Sequence, residues 1–168
     1  FVKINDKYIL YCRKGDSFEG ARLSRLKEKK LKRIFIVEKE ENNYRQYLDR
    51  NIQMALDPSS GKPLDTRVEI MQGATQAKTE SVIENADDVQ SYNEAKDGAL
   101  QFADFLLKED KALGHILNMK NLDSNIAQHG VTVSSLAISL AARLGIKDKK
   151  QTQLLSLGAV LQGSFYQE

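Results

Sequence analysis

Cysteine, proline and histidine are scarce in this chain, with one, two and two copies among 168 residues. A single thiol cannot close an internal disulfide, which agrees with a reducing compartment. Cys12 ends the apolar run Tyr8-Ile9-Leu10-Tyr11-Cys12 and reads as a small core residue rather than a reactive thiol. No uninterrupted apolar run approaches the roughly 20 residues that a membrane-spanning helix needs, and no secretory pattern opens the chain. The expectation is a cytoplasmic protein with no membrane partner. Also missing are a phosphate-cradling glycine loop, zinc-type cysteine spacing and a nucleophile elbow.

What is present is a mixed composition, 41% hydrophobic and 29% charged, with a formal charge of +2 that says little about partners. The length permits one domain or two small ones. Phe1 is not an initiator residue, as expected of a chain with residues removed ahead of it. Short β-rich runs fall at Phe1 to Ile4, Lys7 to Arg13 and Arg33 to Val37, separated by turn signals at Asn5-Asp6 and Gly15-Asp16. A helical stretch, about Phe18 to Lys30, lies between the second and third. These elements predict a small ββαβ module over residues 1–40, with every strand confined to it.

Beyond it the periodicity is helical. Tyr44, Leu48, Ile52 and Ala55 share one face, and Asp57-Pro58-Ser59-Ser60-Gly61-Lys62-Pro63 then breaks the pattern. Val68, Thr75, Val82 and Val89 recur every seven residues, with Met71 and Ala86 alongside. That spacing predicts a long helix with a narrow apolar seam, used either for packing within the chain or for a homodimer through the long helix. Residues 41–94 are therefore read as linker helices. Ala95, Ala99, Phe102, Ala103, Leu106 and Leu113 mark another helix, bent near Glu109-Asp110 and Gly114. Asp148 is placed to cap the last helix, with Gln151 three positions on.

The strongest charge feature is basic: Arg22, Arg25, Lys27, Lys29, Lys30, Lys32 and Arg33, relieved only by Glu28. It reads first as a solvated face. Arg22, Arg25, Lys29 and Lys30 are the candidate contacts for a phosphate-bearing ligand or an acidic protein partner. Duplex nucleic acid is not expected, because no aromatic platform interleaves with the run.

Residues 123–163 carry the most specific pattern. His129 opens a helix, Val133, Leu136, Ala137, Leu140 and Leu144 follow, and Gly145 ends it. At helical period His129 shares a face with Val133, Leu136 and Leu140, which predicts an imidazole pointing into the bundle, either hydrogen-bonded in the core or ligating a metal. A second helix runs from about Lys149 through Leu154, Leu155, Leu157, Ala159, Val160 and Leu161 to Gln162-Gly163.

This pattern resembles the HD-GYP group, bacterial signalling proteins of the HD superfamily. The resemblance implies an α+β protein: the small N-terminal ββαβ module, then an all-helical HD-type bundle segment over residues 95–168. Intact members hydrolyse cyclic di-GMP at a bi- or trinuclear iron or manganese centre. Carried over residue by residue, the resemblance makes His129 the one candidate metal ligand. Where the family has His-Asp after the second apolar run, this sequence has Gln162-Gly163. A neutral amide is a weaker donor than imidazole, and glycine has no side chain with which to bridge ions. His115 and Glu109 are weaker candidates for ligands recruited from upstream. The arginine-rich signature of PilZ-type cyclic di-GMP receptors is missing. The chain is expected to bind no metal stoichiometrically and to be non-catalytic. It is either a degenerate member or one whose sequence after Leu161 is incomplete. Cyclic di-GMP or a signalling protein is the expected partner, and the alternative is a regulatory scaffold without catalysis.

Overall fold

A computed structural model describes residues 1–13, 15–16, 21–29, 34–118, 125–146 and 148–162. It divides into two compact units, Phe1–Tyr47 and Leu48–Glu168.

In the first unit, β1 (Val2–Ile4) and β2 (Lys7–Ile9) form an antiparallel hairpin in which Val2 pairs with Ile9. Asn5 and Asp6 both take positive φ, 47° and 59°, the backbone that a two-residue hairpin turn requires. Helix α1 (Ala21–Glu28) follows, and Val2 and Leu26 are buried. The third β-rich run lays down no full ladder among its described residues, 34–37. Within it Phe35 N–H donates to the Phe1 carbonyl at 2.8 Å, and the Phe35 ring meets Tyr8 edge-on at 5.1 Å. Cys12 is partly exposed, its Sγ 3.9 Å from the Asp16 carbonyl.

Helix α2 (Glu41–Leu56) crosses the boundary between the units, and among the described residues every regular element of the second unit is a helix. Asp57 caps a short 3-10 turn at Pro58–Ser60, and Gly61, at φ 73°, turns the chain into α3 (Leu64–Glu84). The long helix expected through Val89 is in fact two. The chain breaks at residues 85–88, where Asp88 caps α4 (Val89–Lys108), its carboxylate accepting from Ser91 and Gln90. A helix-capping aspartate competes well with helix continuation, which the seven-residue spacing could not register. Val68, Met71, Thr75 and Val82 are buried inside the chain, whereas Val89 is exposed. Residues 64–84, read as part of a linker, supply core.

The predicted bend after Leu106 is present: α4 stops at Lys108 and α5 (Ala112–Asn118) starts afresh, with Gly114 inside it. Helices α6 (Ile126–Arg143) and α7 (Lys149–Leu161) complete the unit. Asn125 caps α6, its side chain accepting from Gln128 N–H at 2.8 Å. Gly145, at φ 82°, ends it in a Schellman motif, with Ile146 N–H bonded to the Ala141 carbonyl at 2.9 Å. Asp148 caps α7 as its spacing predicts, 2.8 Å from Gln151 N–H. The main core gathers Ile52, Val68, Met71, Phe102, Phe105, Ile116, Val131 and Ile138, and a smaller one Val82, Ala95 and Leu161. No strand occurs among the described residues of 65–161, and no described helix is long and apolar enough to cross a membrane.

Candidate metal centre

The α6–α7 pair sets the geometry at the residues singled out for chemistry. Ser134 lies 2.9 Å from Ser156, while a Cβ on Gly130 would stand 2.8 Å from the Val160 carbonyl. Positions rise along one helix as they fall along the other, so the two run antiparallel. The buried face of α6 is built of Ala127, Gln128, Gly130, Val131, Ser134, Ser135, Ile138 and Ala141, and it meets α7 at Gly130 and Ser134. Mostly small side chains allow backbone to approach backbone closely; a leucine face could not.

That choice of face corrects the reading of His129. It does share a face with Val133, Leu136 and Leu140, but that face points away from the bundle. His129, Leu136, Leu140 and Leu144 are exposed and Val133 is half-buried. Helix α6 is apolar on both sides, and the spacing of its large residues alone could not tell which side would be buried by this chain.

At the end of α7, Gln162 stands where the family pattern has histidine. Its Nε2 is buried without a hydrogen-bond partner among the described residues. Gly163 lies outside the described residues. His115, on α5, is partly exposed, and Glu109 is committed elsewhere: its carboxylate lies 2.7 Å from the buried guanidinium of Arg67. Among the described residues no three His, Cys, Asp or Glu side chains converge as a metal ligand set would. An exposed imidazole and a neutral amide do not fit a polynuclear iron or manganese centre, which needs several carboxylate and imidazole donors around bridged ions.

Of the basic run, Arg25 and Lys29 are exposed, the side chain of Arg22 is not among those described, and Lys30, Lys32 and Arg33 lie outside the described residues.

Sequence reading missed two buried polar assemblies. Arg67 Nε donates to the Ala55 carbonyl at 2.7 Å, its guanidinium meets Glu109, and it lies 5.6 Å from the Phe105 ring centre. Ser156 donates to the Ala99 carbonyl at 2.9 Å while contacting Ser134. The available signal for the first was an arginine on the same helix face as Val68, Met71, Thr75 and Val82. No signal distinguished Ser156 from a surface serine.

No family model matches the chain, and no curated protein does. A solved structure does: Bd1817, a HDG"Y"P protein from Bdellovibrio bacteriovorus, superposes with a TM-score of 0.83 at 53% sequence identity. The match covers 96% of this chain and 53% of that one, so this chain spans about half the length of its neighbour. Identity of that degree over one superposable fold makes this protein a member of the HD-GYP family.

Proposed function

We propose that this chain is a cytoplasmic signalling module of the cyclic di-GMP phosphodiesterase lineage: a small N-terminal unit joined to the first helices of an HD-type domain, without turnover of its own. The identity with Bd1817 carries the lineage. The solvent-facing His129 and the amide at Gln162 support the lack of turnover. The single cysteine agrees with a reducing cytoplasm. The basic residues Arg22, Arg25, Lys29 and Lys30 are the proposed contacts for cyclic di-GMP or an acidic signalling protein.

The test is to supply the purified chain with iron or manganese, weigh bound metal by elemental analysis and follow cyclic di-GMP by chromatography. Weak, substoichiometric metal and hydrolysis no faster than a metal-only control are expected. Restoring the family residues by Gln162→His with Gly163→Asp should not create activity, because too few donors accompany them. Metal-dependent turnover abolished by His129→Ala would overturn the reading.

A further inference from the structure

Five side chains from three stretches of sequence share one face of the N-terminal hairpin. Lys3 stands opposite Tyr8 in the β1–β2 register, and at the two-residue period of extended chain Phe1 lies beside Lys3 and Leu10 beside Tyr8. Phe35 joins them from outside the hairpin. It exchanges both backbone bonds with Phe1, at 2.7 and 2.8 Å, which sets the two rings on the same side, and its ring meets that of Tyr8 edge-on at 5.1 Å. Tyr8 is 59% and Leu10 51% exposed, while Phe1 and Phe35 are half-buried. The opposite face carries the buried Val2. The hairpin therefore turns an aromatic surface to solvent.

Charge selects the occupant. The unit Phe1–Tyr47 holds thirteen Lys and Arg against seven Asp and Glu, a formal +6, whereas the rest of the chain holds twelve against sixteen. The small overall charge hides a basic unit. Lys3 stands on the aromatic face itself, its ammonium 2.9 Å from an Asp6 carboxylate that is 92% exposed. Such a surface pair contributes little and yields readily to a phosphate. The basic run shows no aromatic platform in sequence, because the rings lie at positions 1, 8 and 35 and only the fold assembles them. Rings beside cations suit a polyanion with free bases: every base has a π-face to stack, and a duplex keeps its own bases stacked inside. An open face suits an extended strand, whereas a compact ligand needs a cleft.

We propose that the face bearing Phe1, Tyr8 and Phe35 binds single-stranded nucleic acid, its rings stacking on bases while Lys3 and the excess cations of the unit hold the phosphate backbone. The proposal stands apart from the family reading, so its failure is separable from any result on turnover. Binding of the full chain to a short fluorescein-labelled oligo(dT) is followed by anisotropy over a range of salt. A blunt duplex and a polyglutamate of matched charge are the comparisons. Because the chain has no tryptophan, Tyr8→Trp places a single reporter on the face, whose emission a stacked base should quench.

Oligo(dT) should bind more tightly than duplex or polyglutamate, with an affinity that falls as salt rises. Tyr8→Ala should weaken binding roughly fivefold or more, as the loss of one stacked base does, and Tyr8→Phe should retain it. Circular dichroism and the salt dependence should be the same in both variants, since neither changes charge. Equal affinity for polyglutamate, or binding that Tyr8→Ala leaves untouched, would overturn the proposal in favour of charge alone. So would a preference for duplex, or no binding at low salt. Quenching of the Tyr8→Trp reporter by cyclic di-GMP and not by oligo(dT) would assign the face to a dinucleotide and overturn it as well.

Discussion

The hydroxyl of Ser134 lies 2.9 Å from that of Ser156, and Ser156 spends its one proton on the carbonyl of Ala99, also at 2.9 Å. Ser134 is therefore the donor to Ser156. This buried relay ties α6 to α7 and α7 to α4 at one point, among side chains with no access to water. Buried hydroxyls demand partners, so three helices are held in one mutual register rather than merely packed.

Ser156→Ala should cost about 1–3 kcal/mol, because it removes a donor from the Ala99 carbonyl and leaves the Ser134 hydroxyl buried without its acceptor. Urea denaturation followed by circular dichroism measures it. The double variant Ser134→Ala with Ser156→Ala should cost less than the sum of the singles.

Two helical glycines should respond with opposite signs to alanine. At Gly130 the new Cβ would lie 2.8 Å from the Val160 carbonyl and 3.0 Å from that of Ala159. Backbone cannot swing aside, so Gly130→Ala should destabilise by about 1–3 kcal/mol despite the better helix propensity of alanine, worth about 1 kcal/mol. At Gly98 the obstacle is Cδ of the Lys78 side chain, also at 2.8 Å, which can rotate away. Gly98→Ala should be neutral or stabilising by up to about 1 kcal/mol. Thermal melts of the two variants side by side decide it.

Glu109→Gln should strand the buried Arg67 guanidinium, which would keep the Ala55 carbonyl but lose its countercharge. Breaking a buried pair from one side typically costs about 3–5 kcal/mol. Because the Glu109 side chain retains 18% exposure, the lower end is expected. Arg67→Met with Glu109→Met should recover part of the loss, and a chemical-denaturation double-mutant cycle separates the two contributions.

Asp88 gives the pH dependence its sign. The Ser91 hydroxyl, 2.6 Å away, then the Ser91 and Gln90 backbone N–H groups, hold its carboxyl below the ordinary aspartate value. A depressed folded pKa stabilises the fold above the unfolded value, and the contribution is lost as pH falls through the folded one. Carboxyl chemical shifts should place the Asp88 midpoint below that of a free aspartate. Asp88→Ala should flatten the acid limb of the stability profile. A midpoint at or above the ordinary value would contradict the capping geometry.

Much of the second unit was legible in the sequence because its determinants are local. Asp148 three residues before Gln151, Gly145 after an apolar helix, and the Asp57 to Pro63 breaker each fix a backbone conformation within a turn or two. The end of α3 was not legible. Val68, Thr75, Val82 and Val89 keep one spacing across residues 85–88, and the Asp88 cap outweighed a periodicity that continues on both sides of it. The third β-rich run reads as a strand by composition, and among its described residues it pairs only once, Phe35 exchanging both bonds with Phe1, which is too little for a ladder.

The sequence by itself determined the family and the character of α6, because a histidine-headed apolar pattern ending at Gly145 depends on nothing outside its own residues. Which way His129 faces was decided only in three dimensions. Both sides of α6 are apolar, so hydrophobicity gave no preference between them. Close approach did: Gly130 and Ser134 let α7 come within backbone contact, and the leucine row was left outside with the imidazole. The pairing of Ser134 with Ser156 and of Arg67 with Glu109 was likewise a tertiary outcome, since partners 22 and 42 positions apart meet only after the helices that carry them have packed.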